Sequence, residues 1–263
     1  MRILLTNDDG ITSRGLFAAK QALDAVGTVL VIAPDSNRSG SARSITIDRL
    51  LTLDEVALRD GSAAYATDGT PVDCVRFGDH GVVGERPDLI VSGINYGYNL
   101  GDDVTYSGTV AAAFEGLLLG IPGIAISQGA ASAGADFRRH PEYDFGPAAD
   151  FLAGLVRMVG QRGLPQGTVL NVNVPAHPRG AGVCRLGKRI YRDQLELEAD
   201  GDGRRRYRIY GDDPSYHDEP GTDFRMIAEG RIAVTPIHLD LTSDRALAEI
   251  GSWELEDVSL PPG

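Results

Sequence analysis

Ile3-Leu4-Leu5-Thr6-Asn7-Asp8-Asp9-Gly10 opens the chain with an apolar run that ends in two adjacent carboxylates and a glycine. The run has the length of a buried strand, and the glycine punctuates its end. In an open parallel sheet, ligands bind just past the carboxyl ends of the strands. Neighbouring side chains of a continuing strand point to opposite faces. Asp8 and Asp9 therefore converge only if the chain turns, which Gly10 permits. Two like charges held together repel unless a positive charge lies between them, and a hard divalent cation is the usual neutraliser. A turn in which Asp8 caps the next helix accounts for one aspartate, not for both. The pair reads as a metal site.

Beyond this strand the first two-thirds of the chain alternates strand and helix patterns. Strands are expected at 2–6, 28–33, 89–92, 123–127 and 168–174, with helices at 15–25, 71–77, 108–119 and 147–159. That order implies right-handed crossovers and an α/β fold built on a doubly wound, mainly parallel sheet. Residues 44–66 differ: short alternating pieces such as Ser44-Ile45-Thr46-Ile47 suggest a hairpin. After Pro178 the alternation fades, so residues 1–178 form the expected core and 179–263 an extension. The extension carries a long hairpin at 190–209 around Gly201-Asp202-Gly203, a return strand at 232–234 and a helix near 244–250. Its run Arg204-Arg205-Arg206 reads as a solvated face.

Composition narrows the function. The 263 residues include 25 Lys+Arg against 37 Asp+Glu, a net charge of -12, which argues against nucleic-acid binding and against attraction to anionic membranes. An anionic substrate must then be drawn in by a local positive feature such as a bound cation. Cys74 and Cys184 stand far apart with no metal-ligand spacing, and two reduced, packed thiols fit a cytoplasmic protein. The N-terminal residues lack an apolar signal region, and no segment has the length of a membrane span.

Three further segments are candidates to meet the aspartates. In Asp35-Ser36-Asn37-Arg38-Ser39-Gly40-Ser41, small polar residues with a glycine can approach an oxyanion through amides and hydroxyls. In Ser92-Gly93-Ile94-Asn95-Tyr96-Gly97-Tyr98-Asn99, two asparagines among glycines offer neutral oxygens to a cation and amides to phosphate. The same composition also suits a plain turn. Tyr106-Ser107-Gly108-Thr109-Val110 opens a small-residue helix, whose free amides and dipole make an anion site.

Taken together these motifs resemble the SurE family of survival-protein nucleotidases. The resemblance rests on Asn7-Asp8-Asp9-Gly10, Asn37-Arg38-Ser39-Gly40, Gly69-Thr70-Pro71-Val72-Asp73, Ser92-Gly93-Ile94-Asn95 with Asn99, and Tyr106-Ser107-Gly108-Thr109-Val110. Asn171-Val172-Asn173-Val174-Pro175 and Gly221-Thr222-Asp223-Phe224 follow in the family's order. It implies a Rossmann-like core and a C-terminal hairpin extension used in forming homodimers or homotetramers. It implies a phosphomonoesterase acting on nucleoside 5′-monophosphates, some members also taking 3′-nucleotides or short polyphosphate. One divalent ion per subunit, Mg²⁺ or Mn²⁺, would be held by Asp8, Asp9, Ser39 and Asn95. Phosphate would be met by Asn37, Ser39, Gly40, Asn95, Asn99, Ser107, Gly108 and Thr109.

The residue types leave the chemistry open between an Asp8 or Asp9 that orients or deprotonates water and one that attacks phosphorus itself. His80, His140, His177, His217 and His238 fall outside every motif, so none is an evident general acid. Arg38, the one cation inside a motif, either contacts phosphate or pairs with Asp35. A phosphotransferase of the haloacid-dehalogenase type wants Asp-x-Asp after its first strand, whereas these acids are adjacent. A nucleotide sensor that binds without turnover is the other alternative.

Overall fold

The structure, a computed structural model, describes residues 1–130, 143–190, 195–201, 203–208, 215–253 and 255. The N-terminal half runs β1 (Arg2–Thr6), α1 (Arg14–Leu23), β2 (Thr28–Pro34), β3 (Asp54–Ala57), β4 (Ala63–Thr67), α2 (Pro71–Asp79) and β5 (Leu89–Tyr96). A short 3₁₀ turn (Gly101–Thr105) leads to α3 (Gly108–Leu118), β6 (Gly123–Gln128), α4 (Gly146–Arg162) and β7 (Val169–Val174). Then come β8 (Ala181–Val183), β9 (Arg189–Ile190), β10 (Glu196–Gly201), β11 (Arg204–Arg208) and β12 (Ser215–Tyr216). The chain closes with α5 (Asp223–Ala228), β13 (Ile232–Ile237) and α6 (Asp244–Ile250).

Nine strands form one sheet in the order β3-β4-β2-β1-β5-β6-β7-β13-β8. The six from β4 to β7 are mutually parallel, as the strand–helix alternation requires. β3 and β13 join antiparallel, and β8 lies parallel to β13. From β1 the chain winds outward through β2 and β4, then crosses back to β5 and winds the other way. The reversal falls between β1 and β5, where open α/β sheets bind their ligands.

The two-residue period of β1 explains the layering. Ile3 and Leu5 face α1 and α4, packing with Leu16, Leu152 and Val156. Leu4 faces the other way, onto Cys74 and Val75 of α2 and Ala112 of α3. A strand buried on both faces must be apolar throughout, which is why β1 has no polar alternation. Burying each such side chain contributes about 1.5–3 kcal/mol. Helix α2 is stopped at its start by a capping box: the Asp73 amide donates to Thr70 Oγ1 at 3.2 Å, and the Thr70 amide to Asp73 Oδ2 at 2.9 Å. Both cysteines are buried and free.

Residues 44–47 form no strand. The hairpin of that region is β3–β4, and β4 enters the main sheet beside β2. Alternation misled here because it buries nothing: Ile45 and Ile47 are 54% and 76% exposed. Polar bonds hold the segment instead, Thr46 donating to Asp73 from its amide (3.1 Å) and its hydroxyl (2.7 Å). The later hairpin is present as antiparallel β10 and β11. Residues 191–194, 202 and 209 of that expectation lie outside the described residues, as does His140. Among the described residues no helix is long and apolar enough to cross a membrane.

Candidate functional site

The turn after β1 is built by its asparagine. Asn7 Nδ2 donates to the Gly10 carbonyl at 3.1 Å, and the Gly10 amide returns a bond to Asn7 Oδ1 at 3.2 Å. Gly10 sits at φ +97°, and a Cβ there would come within 3.1 Å of the Ser36 carbonyl carbon. Asparagine and glycine thus bracket the two carboxylates, and a side chain at position 10 would be strained.

Asp8 is only 4% exposed. Its Oδ1 accepts the Thr109 hydroxyl at 2.6 Å. Gly108 is pressed against the same group: a Cβ there would stand 2.9 Å from Asp8 Oδ2. Burial pushes the Asp8 carboxyl up, while the Thr109 hydroxyl and the Thr109 and Gly108 amides at the start of α3 favour its charged form. Asp9 accepts the Tyr96 amide at 3.3 Å. Its carboxyl is pushed up to about 7, first by burial and then by the charge of Asp8. No lysine, arginine or histidine among the described residues pairs with either group. Arg38 turns away, to Asp35 at 3.1 Å and the Asp68 carbonyl at 3.0 Å.

An unneutralised carboxylate pair, one member buried and the other part-buried, fits a hard cation. Among the described residues no group of three or more His, Cys, Asp or Glu side chains could hold a metal. A cation at Asp8 and Asp9 would therefore complete its shell with neutral oxygens and water. Asn95 is suited to that. The β5–β6 register shifts between Ser92 and Asn95. At its centre Gly93, at φ +131°, lets the backbones approach, for a Cβ there would fall 2.2 Å from the Ile126 carbonyl. Asn95 donates its amide to the Gly97 carbonyl at 3.1 Å, which leaves Oδ1 as its acceptor.

Asn37, Ser39 and Gly40 lie on an exposed loop past β2. The Arg38 amide pins that loop to the Asp8 carbonyl at 2.7 Å, and Asn37 Oδ1 accepts the Ser39 amide at 2.7 Å. Farther along, Arg43 (3.4 Å) and Arg76 (2.5 Å) both pair with Glu115 of α3, itself 2% exposed. Asn99 is buried and caged: its amide donates to Asn173 Oδ1 at 2.8 Å, and its Nδ2 to Ser127 Oγ at 2.9 Å. Its carbonyl accepts Asn171 Nδ2 at 2.8 Å and Asn173 Nδ2 at 3.0 Å. Ser107 caps α3 by accepting the Val110 amide at 3.1 Å.

Asp8, Gly108 and Thr109 thus meet directly, and Asp9 joins Asn95 through the next residue, Tyr96. The Thr109 hydroxyl is committed to Asp8, whose charged form its amide also favours. The side chains of Asn37 and Ser39 make no hydrogen bond to either aspartate among the described residues. Tyr96, Ser127, Asn171, Asn173 and Asp223 were not among the expected site residues. For Asn171 and Asn173 the signal was two polar residues at strand period inside an apolar run. A cleft of about 800 Å³ borders Arg14, Phe17, Arg59, Tyr143 and Phe145 on the outer side of α1. None of the expected site residues lines it.

A family model described as "Survival protein SurE" matches residues 3–193. The chain belongs to the SurE family. The "5'-nucleotidase SurE" of Rubrobacter xylanophilus is 52% identical over 262 residues, covering 97% of this chain and 98% of that one. The protein of the same description from Geobacter sulfurreducens is 45% identical over 97% of this chain and 94% of its own length. The SurE crystal structure from Aquifex aeolicus superposes with a TM-score of 0.80 at 38% identity, covering 98% of this chain and all of that one. The mainly parallel sheet with helices on both faces is the SurE fold.

Proposed function

We propose that this SurE-family chain is a 5′-nucleotidase, hydrolysing nucleoside 5′-monophosphates to nucleoside and phosphate. The observation that carries this reading is the unneutralised pair of buried Asp8 and part-buried Asp9 at the reversal between β1 and β5, with Asp8 set against the amino end of α3. Relatives described as 5′-nucleotidases, alike over nearly the full length, support it.

Asp8, Asp9, Ser39 and Asn95 would hold one Mg²⁺ or Mn²⁺, which supplies Lewis acidity at the phosphate. Thr109 fixes the Asp8 carboxylate in one orientation through its 2.6 Å bond. The Gly108 and Thr109 amides, with Asn37, Gly40, Asn99 and Ser107, hold the phosphate oxygens as charge redistributes. Asp8 and Asp9 either orient and deprotonate the attacking water or supply the attacking carboxylate. Residues 1–178 carry this chemistry, and 179–263 supply contacts between subunits of a dimer or tetramer. Supporting that assembly, Leu195, Leu197 and Tyr207 of the hairpin region and Leu247 and Ile250 of α6 are exposed. The two buried free thiols support a cytoplasmic setting.

Phosphate release from a panel of nucleoside monophosphates, with and without a chelator, tests the reading. Turnover that the chelator abolishes and Mg²⁺ or Mn²⁺ restores is the expected result. Tight nucleotide binding without turnover would make the chain a sensor instead.

A further inference from the structure

The fully buried acid Asp223 lies in the C-terminal extension, far in sequence from every residue proposed to touch substrate, and the mechanism above does not use it. Its side chain is 0% exposed. Oδ2 accepts the Gly101 amide at 2.7 Å, while Oδ1 accepts the Gly187 amide at 2.8 Å and the Phe224 amide at 2.9 Å. Among the described residues no cation pairs with it, so backbone donors alone satisfy the charge. The glycines are a condition of this contact. A Cβ on Gly101, which sits at φ +52°, would stand 2.6 Å from the Phe224 ring, and one on Gly187 equally 2.6 Å from it. Around this point the Arg189 amide donates to Asp102 Oδ2 at 3.1 Å, and the Arg189 guanidinium pairs with Asp103.

We propose that Asp223 is a positioning residue for the phosphate-facing loop, clamping Gly101 so that Asn99, two residues earlier, is presented in a single orientation. The inference rests on the hydrolase reading given above. A carboxylate accepting three amides holds the backbone more firmly than a neutral acceptor, because hydrogen bonds to an ionised group are about twice as strong. Asparagine in its place keeps one acceptor oxygen and turns an N–H₂ donor toward an amide donor. The loop then loses its anchor at Gly101 while Asp8, Asp9 and Asn95 keep all their partners. The extension is thereby part of the catalytic apparatus and not only of assembly.

The test compares the full-length chain with Asp223→Asn and, as a control, Asp218→Asn, whose carboxylate is exposed and pairs with Arg225 at 3.1 Å. Four quantities are read: kcat and KM on a nucleoside monophosphate, Mn²⁺ affinity by calorimetry, amide exchange across 97–107, and the melting temperature. For Asp223→Asn the expected result is a kcat lower by about tenfold or more, of the kind seen when a positioned donor is misplaced. Mn²⁺ affinity should stay within about twofold and exchange at Gly101 should speed up, while the control leaves all four unchanged. A kcat that stays normal while Gly101 exchange speeds up would overturn the proposal. So would a kcat that falls only in step with Mn²⁺ affinity or with the folded fraction. Exchange in the unmodified protein keeps the claim open to refutation even if the variant does not fold: a Gly101 amide exchanging at the rate of a free loop would contradict the clamp. If the unmodified protein releases no phosphate, the hydrolase reading fails, and the exchange arm still decides the clamp.

Discussion

Two loops reach the aspartates from opposite sides, and they are held by different physics. The loop from 97 to 109 is fastened from inside: Asn171, Asn173 and Ser127 enclose Asn99, and Asp223 takes the Gly101 amide. The loop from 35 to 50 is fastened from outside, by Arg43 on Glu115, Arg49 on Asp68, and Thr46 on Asp73. Its apolar residues Ile45, Ile47 and Leu50 face solvent. Buried, satisfied hydrogen bonds set one geometry, because the alternative is an unpaired polar group away from water. Arginines that keep one side in water hold less firmly and weaken with salt. The inner loop is thus held in one geometry, while the outer loop is tied by contacts that salt and solvent weaken.

The largest effect should come from the carboxylates between the loops. Asp8→Asn or Asp9→Asn should weaken Mn²⁺ binding and lower turnover by about 10³-fold, the upper end for loss of one electrostatic element. Calorimetry and phosphate release check this together. Chelator-sensitive turnover near normal in either variant would refute the shared-cation assignment.

Next comes the inner loop. Asn99→Ala should cost about 10² in kcat with metal affinity almost unchanged. Ser107→Ala should fall in the same range but also lower the melting temperature, since its hydroxyl caps α3 and such caps contribute about 1 kcal/mol. Loss of metal binding in either variant would show that these residues hold the ion instead.

For the outer loop the expected effect is smaller and salt-dependent. Glu115→Gln removes the buried charge that Arg43 and Arg76 both meet. It should cost about 1–3 kcal/mol of stability, the range for a charged hydrogen-bonded partner, seen in the denaturant midpoint. KM should rise by a few-fold, and salt should affect the variant less than the parent. A kcat loss as large as that of Asn99→Ala would erase the distinction between the loops.

The smallest effect on catalysis should come from outside the site. Deleting residues 193–208 and closing the gap with glycines should leave turnover within about twofold. It should shift the protein toward smaller species in light scattering, because an exposed two-stranded hairpin is marginal without cover. A unmodified chain that is already monomeric at micromolar concentration would contradict that role.

The sheet was legible because parallel strands buried on both faces leave continuous apolar runs, and β1, β2, β5, β6 and β7 all lie where those runs are. The aspartate turn was legible because adjacent acids before a glycine have few structural explanations. Ser44-Ile45-Thr46-Ile47 misled because its alternation tracks no buried face. Thr109 was assigned to phosphate, and only the fold reveals its hydroxyl on Asp8, 101 residues away. Asp223 was visible as part of a motif, yet its role depends on Gly101, 122 residues away in the chain. Local pattern carries elements; partnerships across the sheet come only with the fold.

The most direct measurement is phosphate release by metal-stripped protein as Mn²⁺ is added, run beside calorimetry on the same sample. One ion bound per chain, with turnover absent before addition and rising in step with occupancy, is the predicted result. Undiminished turnover in the stripped protein, or one ion still bound per chain when both Asp8 and Asp9 are asparagine, would contradict a nucleotidase centred on that pair.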